Sequence, residues 1–189
     1  RYLEGRGLTS SDIYKWKIGY CTSGVYQNRV IIPSFSASGD LTYFIARSIF
    51  QNNVRYLNPP VSRDVVFNEL MVDWNQPVVL VEGVFDAFRF PNSIPLLGST
   101  LRPKSKLLQK LAKHRSVVYL GLDVDALKKE QTIVENMLLY GMDVYRMRKP
   151  SSGDYAAASI EECKSFKQNA EFVSGTDYLL YKKIFSEDF

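Results

Sequence analysis

The stretch VVLVEGVFDAF, residues 78–88, decides the fold. Four apolar residues typical of a buried strand are followed directly by Glu82, and Asp86 comes four residues later. The later stretch SVVYLGLDVDA repeats this arrangement with Asp123 and Asp125. Open α/β sheets bind their ligands at the carboxyl ends of the strands, so the four acids should converge there. Crowded carboxylates repel one another unless a cation joins them, and hard divalent ions such as Mg2+ prefer oxygen ligands. The pattern therefore predicts metal-assisted phosphoryl or nucleotidyl chemistry.

The composition is that of a globular chain. Its 189 residues suffice for one large domain or two small ones, and a hydrophobic content of 46% is ample for a packed core. No window approaches the run of about 18 apolar residues that a membrane helix needs, and we expect no cleavable leader, because the first residues lack the charged, apolar and cleavage-site pattern of one. Cys21 and Cys163 are far apart and lack a CxxC companion, so neither a disulfide framework nor a zinc site is expected. We therefore expect a cytoplasmic protein with no membrane partner.

Charge is unevenly distributed along the chain, although the net charge of +4 is only mildly basic. Residues 87–122 contain no acid, and their basic side chains are Arg89, Arg102, Lys104, Lys106, Lys110, Lys113 and Arg115. Such a local positive field beside an acidic cluster could hold the phosphates of a nucleotide or nucleic acid, with salt-sensitive binding as the consequence. A solvated helix face is the alternative interpretation of the same charges.

Two kinds of pattern divide the chain. Up to about residue 75 the pattern is mixed, with a short helix in LTSSDIYKWKIG capped by Ser10 or Ser11, a β-hairpin, and an extended segment with prolines. After Pro77, apolar strands alternate with helices, which is typical of a parallel sheet with flanking helices. We expect residues 161–189 to be a helical extension. The predicted fold class is a small α+β subdomain followed by an α/β domain.

The order of the acidic motifs resembles that of a known family. A strand ending in E-G-x-x-D, at Glu82, Gly83 and Asp86, precedes an LGST loop at residues 97–100, a basic helix, and a strand ending in D-x-D. This order is similar to the Toprim domain that bacterial-type primases share with topoisomerases and some nucleases. The resemblance implies a Rossmann-like parallel sheet with flanking helices over residues 76–160.

The residues before this motif narrow the resemblance from Toprim proteins in general to primases. YLEGRGLTSSDIYKWKIGY, residues 2–20, is similar to the opening of the bacterial-type primase catalytic core, where a helix precedes an Ile-Gly-Tyr turn. RVIIPSFSASGDLTYFIAR resembles the strand, turn and strand of that core, and VRYLNPPVSRDVVFNEL resembles its Lys-Tyr-Leu-Asn-Ser-Pro segment. Topoisomerases and Toprim nucleases are not expected to carry this block. Residues 1–75 thus resemble the basic N-terminal subdomain of a primase core, and the details look closest to primases of tailed bacteriophages.

The resemblance implies a carboxylate site for Mg2+ or Mn2+. Its catalytic ligands would be Glu82, Asp123 and Asp125, with Asp86 as a nearby or water-mediated member. Bacterial-type primases carry Asp-Pro-Asp as a third motif where this chain has SSGDYA, so Asp154 is the candidate first acid and the second acid is missing. Other roles stay open, because Glu82 or Asp125 could cap the helix that follows it, and Asp154 could be a turn or capping residue.

The resemblance also implies contacts to the nucleotide and the template. The residues expected to make them are Arg29, Arg47, Arg55, Gly83 and Gly98. The two glycines would allow the backbone to approach a phosphate closely. The three arginines could instead be ordinary surface charges on a sheet, and Asn68 stands where the family often has a lysine.

These resemblances predict a DNA primase catalytic core, which makes short RNA primers on a single-stranded DNA template from ribonucleoside triphosphates. A replicative helicase is a further expected partner, through regions outside this chain, in the cytoplasm of the cell or of the host of a phage. Two alternatives stay open: strand cleavage as in other Toprim enzymes, and a Toprim-derived binding module without turnover. The degenerate third motif favours the binding module slightly, whereas the retention of Glu82, Asp123 and Asp125 argues against it.

Overall fold

The computed structural model describes residues 1–50, 54–123, 126–148, 150, 153–176 and 178. Its helices are α1 (Ser10–Lys15), α2 (Val84–Ala87), α3 (Lys106–Lys113), α4 (Leu127–Leu139) and α5 (Ile160–Gln168). Its strands are β1 (Gly19–Cys21), β2 (Arg29–Phe35), β3 (Leu41–Ser48), β4 (Val78–Val81), β5 (Ser93–Pro95), β6 (Val118–Gly121), β7 (Val144–Arg146) and β8 (Glu171–Phe172).

The first sheet is antiparallel, with the strand order β1-β2-β3. β2 and β3 form the predicted hairpin, in which Ile32 lies opposite Ile45, and the register shifts between Ser34 and Phe35. Ile32 and Ile45 are both buried. The hairpin thus presents an apolar surface to the rest of the molecule.

The second sheet has the order β5-β4-β6-β7-β8. Its first four strands are parallel, and β8 runs antiparallel to β7 at the edge. All four residues of β4 are buried, as expected for a parallel strand covered on both faces. Because successive side chains point to opposite faces, Leu80 packs in one apolar cluster with α3 and α4, whereas Val79 and Val81 pack in another with Cys163 of α5.

The parallel register brings the carboxyl ends of β4, β5 and β6 together. Val81, the last residue of β4, lies opposite Gly121, the last residue of β6. Val81 also lies opposite Pro95 at the end of β5. The segments that follow these three strands therefore leave the sheet at the same edge, which is the edge where α/β sheets bind ligands.

A shared apolar core joins the two sheets. Ile32 and Ile45 of the first sheet belong to the same buried cluster as Leu80 of β4 and Leu108 of α3. Aromatic contacts add to the junction, because Trp16 packs edge-on against Phe88, with ring centroids 4.6 Å apart. The first sheet is therefore held against the second and can serve as one wall of a site at its edge.

The structure has the predicted mixed architecture and differs from the sequence-based expectation in three places. The cap of α1 is Thr9, not Ser10 or Ser11, because the Thr9 side chain accepts from the Asp12 amide and the Asp12 carboxylate accepts from the Thr9 amide. The strands β1 and β8 were not predicted, and β8 interrupts the expected helical extension, of which residues 177 and 179–189 lie outside the described residues. The predicted domain boundaries after residues 75 and 160 stay predictions. No helix among the described residues is long and apolar enough to cross a bilayer.

Candidate functional site

Glu82 lies directly after β4, at the carboxyl edge of the second sheet. Its carboxylate Oε1 accepts a hydrogen bond from the Lys129 Nζ of α4 at 2.6 Å. The two side chains are 30% and 17% exposed, so water screens this ion pair only partly. The capping role considered for Glu82 is not seen, because Gly83 precedes the first turn of α2 and the Glu82 carboxylate turns to α4 instead.

Asp86 is buried at the same edge and ties two segments together. It is 6% exposed. Its Oδ2 accepts from the Gly83 amide at 2.8 Å, and its Oδ1 accepts from the Ala156 amide at 2.9 Å. Arg89, one helical turn further on, donates to the Ala156 carbonyl through Nη2 at 2.6 Å and Nε at 3.1 Å. Asp86 and Arg89 therefore hold both polar groups of the Ala156 backbone, and with them the loop that carries Asp154.

Asp154 and Asp123 complete the acidic cluster. The Asp154 carboxylate accepts from the Ala156 amide at 2.7 Å, which caps the short 3-10 turn Tyr155–Ala157, and it is also hydrogen-bonded to Asp86. Asp123 follows β6 and is close enough to Asp86 to disfavour its ionised form. Asp86, Asp123 and Asp154, which are distant in sequence, thus meet at one edge. Asp125 lies outside the described residues, so its place in this cluster is a prediction.

The crowding of these acids changes the protonation of Asp86. Burial is the largest cause that raises the pKa of its carboxyl group, followed by the hydrogen bond and the charge of Asp154 and, more weakly, the charge of Asp123. The amide of Gly83 acts in the opposite direction, because it stabilises the ionised form. Carboxylates in this arrangement repel one another until a cation or a proton neutralises them.

The donor set fits a hard divalent cation. All the candidate ligands are carboxylates, which suit Mg2+ or Mn2+, and the cluster holds no imidazole or thiolate that would select a softer metal. In the part of the chain that the structure describes, no three Asp, Glu, His or Cys side chains are already arranged to hold an ion. Glu82 in particular is engaged by Lys129. Binding of a cation by Glu82 therefore requires this carboxylate to leave or share its ammonium partner.

The Arg29 guanidinium contacts backbone carbonyls of β3 and of the segment that follows it. Its side chain is buried, and its Nη2 donates to the Val54 carbonyl at 3.1 Å. Its Nη1 lies 3.4 Å from the carbonyl oxygens of Ala46 and Arg55. These contacts give Arg29 a structural role at the end of the hairpin, and its predicted contact with nucleotide or template stays a prediction.

Arg47 and Arg55 are placed on β3 and on the segment that pairs with it. The Arg47 Nε donates to the Tyr2 hydroxyl at 3.2 Å, and the guanidinium lies over the Tyr56 ring, 4.6 Å from its centroid. Arg55 is exposed. No described contact links either arginine to the acidic cluster, so their predicted roles in binding also stay predictions.

The two predicted glycines follow neighbouring strands, Gly83 after β4 and Gly98 after β5. A Cβ on Gly83 would come within 3.1 Å of Asp86 Oδ2, so a side chain there would crowd the bond between Asp86 and the Gly83 amide. Gly98 has φ +85°, which favours glycine, and open space around its Cα. The loop of Gly98 is joined to the acidic edge, because the Leu97 amide donates to the Glu82 carbonyl at 3.1 Å.

Lys129 and Arg89 were not among the site residues predicted from the sequence. Both had a detectable signal. Lys129 is in the first turn of the helix after the D-x-D motif, and helical side chains lean toward the helix N-terminus, which here faces the acids. Arg89 lies three residues after Asp86, at a spacing that places two side chains on the same face of a helical turn.

Comparisons with known proteins agree with this architecture. No protein-family model matches the chain. The DNA primase of Thermotoga maritima is 23% identical to it, over 76% of this chain and 34% of that protein, so the chain spans about a third of the curated relative. The zinc-binding and RNA polymerase domains of the Aquifex aeolicus primase superpose with a TM-score of 0.79 and 21% identity, covering 91% of this chain and 55% of that one. A DnaG primase catalytic domain bound to single-stranded DNA superposes with a TM-score of 0.79 and 18% identity, covering 98% and 74%.

The fold and its acidic edge define a mixed α/β protein in which a parallel-containing sheet with flanking helices is joined to a small antiparallel sheet. This confirms the predicted fold class. More particularly, the chain has the fold of the catalytic core of bacterial DnaG-type primases, so the resemblance noted in the sequence is confirmed at the level of the fold. The finer likeness to primases of tailed bacteriophages stays a prediction.

Proposed function

We propose that this chain is the catalytic core of a DNA primase, which joins ribonucleotides into short primers on single-stranded DNA. The meeting of Asp86, Asp123 and Asp154 beside Glu82, at the ligand-binding edge of a sheet with the primase-core fold, carries this proposal. A carboxylate-only site of this kind suits the transfer of a nucleotidyl group, whose reactants are polyanions that require neutralisation.

Mg2+ or Mn2+ would be held by Glu82, Asp123 and Asp125, with Asp86 and Asp154 nearby, and would supply charge neutralisation at the phosphates and activation of the attacking 3′-hydroxyl. The residues of the chain do the positioning. Asp86 accepts from the Gly83 amide through Oδ2 and from the Ala156 amide through Oδ1. These two bonds fix the loop of Asp154 against α2. Glu82 receives a fixed backbone position from β4 and from its bond to Leu97.

The substrates and partners follow from the same proposal. The single-stranded DNA template and ribonucleoside triphosphates would meet the acidic edge of the second sheet. The solved complex of a DnaG catalytic domain with single-stranded DNA supports the proposal that this chain uses such a template. We expect a replicative helicase to be engaged through regions outside this chain, in the cytoplasm of the cell or of the infected host.

Substitution of one acid tests this proposal. Asp123→Asn should lower ribonucleotide incorporation by on the order of a hundredfold or more, because loss of even an indirect metal partner costs 10–100-fold. Asp143→Asn is the matched control: Asp143 is exposed and precedes β7, so it makes the same chemical change at the opposite edge of the same sheet. The chain is incubated with single-stranded DNA, labelled ribonucleotides and Mg2+ or Mn2+, and the products are resolved on a denaturing gel.

The gel separates the possible outcomes. New short RNA from the unsubstituted chain and from Asp143→Asn, but not from Asp123→Asn, supports a primase. Equal synthesis by all three proteins contradicts the placement of the catalytic site. Shortened DNA in place of new RNA indicates a cleaving Toprim enzyme, and the absence of both products, with folding verified by circular dichroism, indicates a binding module.

A further inference from the structure

The first turn of helix α4 holds a buried acid that has no role so far. Four residues of α4 are buried, at the spacing of one helix face, and they are Glu130, Ile133, Val134 and Met137. The last three are apolar, whereas Glu130 is an acid that is only 3% exposed. An apolar side chain would fit this face without the cost of removing a charge from water, so the acid calls for another explanation.

Arg146 supplies the charge that this buried acid needs. It is the last residue of β7, and its Nε forms an ion pair with the Glu130 carboxylate. The side chain of Glu130 is 4% exposed and that of Arg146 is 38% exposed, so the pair lies at the margin of the core. Such a pair is seldom more stable than well-packed apolar side chains of similar volume, because both charges lose water. A directional pair can instead fix the geometry of the elements that it joins.

Two ion pairs of α4 flank the loop of Asp123. Lys129 pairs with Glu82, which follows β4. Glu130, the next residue of α4, pairs with Arg146 at the end of β7. β6 lies between β4 and β7 in the sheet, and Asp123 follows β6. The first turn of α4 is therefore tied to the strands on both sides of the one that leads to Asp123.

Backbone hydrogen bonds connect Glu130 to Asp123. The Glu130 amide donates to the Ala126 carbonyl at 2.8 Å, and the Ala126 amide donates to the Asp123 carbonyl at 3.1 Å. Ala126 is the residue before α4, and its methyl group cannot cap the helix as a polar side chain would. The position of the first turn therefore depends on the ion pairs, and a shift of that turn would be passed on to Asp123.

We propose that Glu130, held by Arg146, is a positioning residue of the metal site. The pair fixes the first turn of α4, and with it the carboxylate of Asp123 and the ammonium of Lys129. This inference rests on the proposed function, because it takes the acidic edge to be a site for Mg2+ or Mn2+. Glu130 acts through these residues and not as a ligand, since its own carboxylate is buried against Arg146. The alternative is an ion pair that only stabilises the fold.

Replacement of the pair by apolar side chains separates positioning from stability. Glu130→Leu/Arg146→Met keeps the net charge, and its unfolding midpoint in urea should be no lower than that of the unsubstituted chain. If the pair positions the site, Mn2+ should still bind on the order of tenfold more weakly, as when a residue that orients metal ligands is lost. Free Mn2+ is followed by electron paramagnetic resonance during titration of the full 189-residue chain.

Arg146→Met alone separates positioning from charge. It leaves the acidic edge one charge more negative, so a purely electrostatic effect would tighten Mn2+ binding. Loss of positioning predicts the opposite, a weakening on the order of tenfold. Tighter binding by Arg146→Met would overturn the proposal. So would a double variant that binds Mn2+ as tightly as the unsubstituted chain.

Another ion pair of similar burial provides the matched controls. Lys110 of α3 pairs with Glu69 at 2.7 Å, and the two side chains are 40% and 12% exposed. Lys110→Met and Lys110→Met/Glu69→Leu make the same two changes on elements that carry none of the candidate metal ligands. Both should leave the Mn2+ affinity unchanged. If they weaken it as much as the Arg146 variants do, the loss reflects a general loosening of the fold and the proposal fails.

The outcomes distinguish this inference from the proposed function. If the chain makes primers and the Arg146 variants bind Mn2+ as tightly as the unsubstituted chain, the primase proposal stands and Glu130 only stabilises the fold. If the Arg146 variants lose Mn2+ affinity while no protein makes RNA, the positioning role stands and the primase proposal fails. If the unsubstituted chain binds no Mn2+, the positioning proposal fails directly.

Discussion

At the scale of single residues, the ammonium of Lys129 lies where the acidic edge would receive a cation, 2.6 Å from Glu82 Oε1. Lys129→Met removes this competitor and leaves the site one charge more negative. We expect Mn2+ to bind about fivefold more tightly to this variant, because a partly exposed ion pair is worth roughly 1 kcal/mol. The measurement is the electron paramagnetic resonance signal of free Mn2+ during a titration, which does not depend on activity.

Lys128→Met is the matched control for this prediction. Lys128 is the preceding residue of α4, it is exposed, and no described ion pair involves it. It makes the same change of charge and side-chain volume one position away. Identical Mn2+ affinities for the two variants would show that the Lys129 ion pair does not oppose metal binding.

The positions of the acids near strand ends could be predicted from the sequence, whereas the orientation of the arginines could not. Glu82 and Asp123 could be placed from the sequence because a strand ends one residue before Glu82 and two residues before Asp123, and strand ends define the edge of a sheet. Arg29 could not be assigned in this way. Arg29 faces backbone groups because the segment after β3 supplies the carbonyls of Val54 and Arg55. No local sequence pattern encodes the conformation of that segment, so the orientation of Arg29 could not be predicted.

At the scale of elements, Gly121 at the end of β6 is required by close packing. A Cβ at this position would lie 3.0 Å from Tyr155 Cζ and would also collide with Met147, and both of these side chains are buried. Gly121→Ala should therefore lower the free energy of unfolding by about 1–3 kcal/mol through overpacking. The measurement is urea denaturation followed by circular dichroism.

The control for this substitution is Gly19→Ala in β1. A Cβ on Gly19 meets no atom within 4 Å, and its φ is not in the left-handed range. We expect a change of no more than about 0.5 kcal/mol, as for other surface substitutions. If Gly121→Ala is tolerated as well as Gly19→Ala, then β6 does not pack against Tyr155 as closely as the structure indicates.

Elements with strong periodic patterns were predicted, and elements defined by their partners were not. β4, α3, β6 and α4 were all evident from apolar runs or amphipathic spacing. β8 is two residues long, both of them exposed, so it exists only because β7 offers an unpaired edge. Its location is a property of the sheet and not of the local sequence, which is why a helix was expected there.

At the scale of the whole molecule, the two cysteines report on the integrity of the fold. Cys163 is buried between α5 and the second sheet, and burial raises the pKa of its thiol to about 11, whereas Cys21 is partly exposed. The thiolate is the reactive form, so alkylation of Cys163 at pH 7 should be slower than that of Cys21 by on the order of a hundredfold or more. The reaction with Cys163 should accelerate as the pH rises toward 11.

Peptide mass spectrometry after timed treatment with iodoacetamide measures both rates in one sample. In urea the two cysteines should react alike, because unfolding removes the burial that separates them. Comparable rates in the native protein would contradict the packing of α5 on the sheet. The burial of Cys163 was not evident from the sequence, since α5 carries few apolar residues.

The antiparallel strand β8 bears on where the polypeptide tolerates truncation. It pairs with Tyr145 and Arg146 of β7, and the Val173 amide donates to the Val144 carbonyl at 2.8 Å. A chain cut after residue 160, at the predicted end of the Toprim subdomain, would leave the hydrogen-bonding groups of β7 open to solvent. Such open edges recruit strands from other molecules. A shortened protein meant for expression should therefore extend past Val173, and one that stops earlier should self-associate even if its acidic edge is intact.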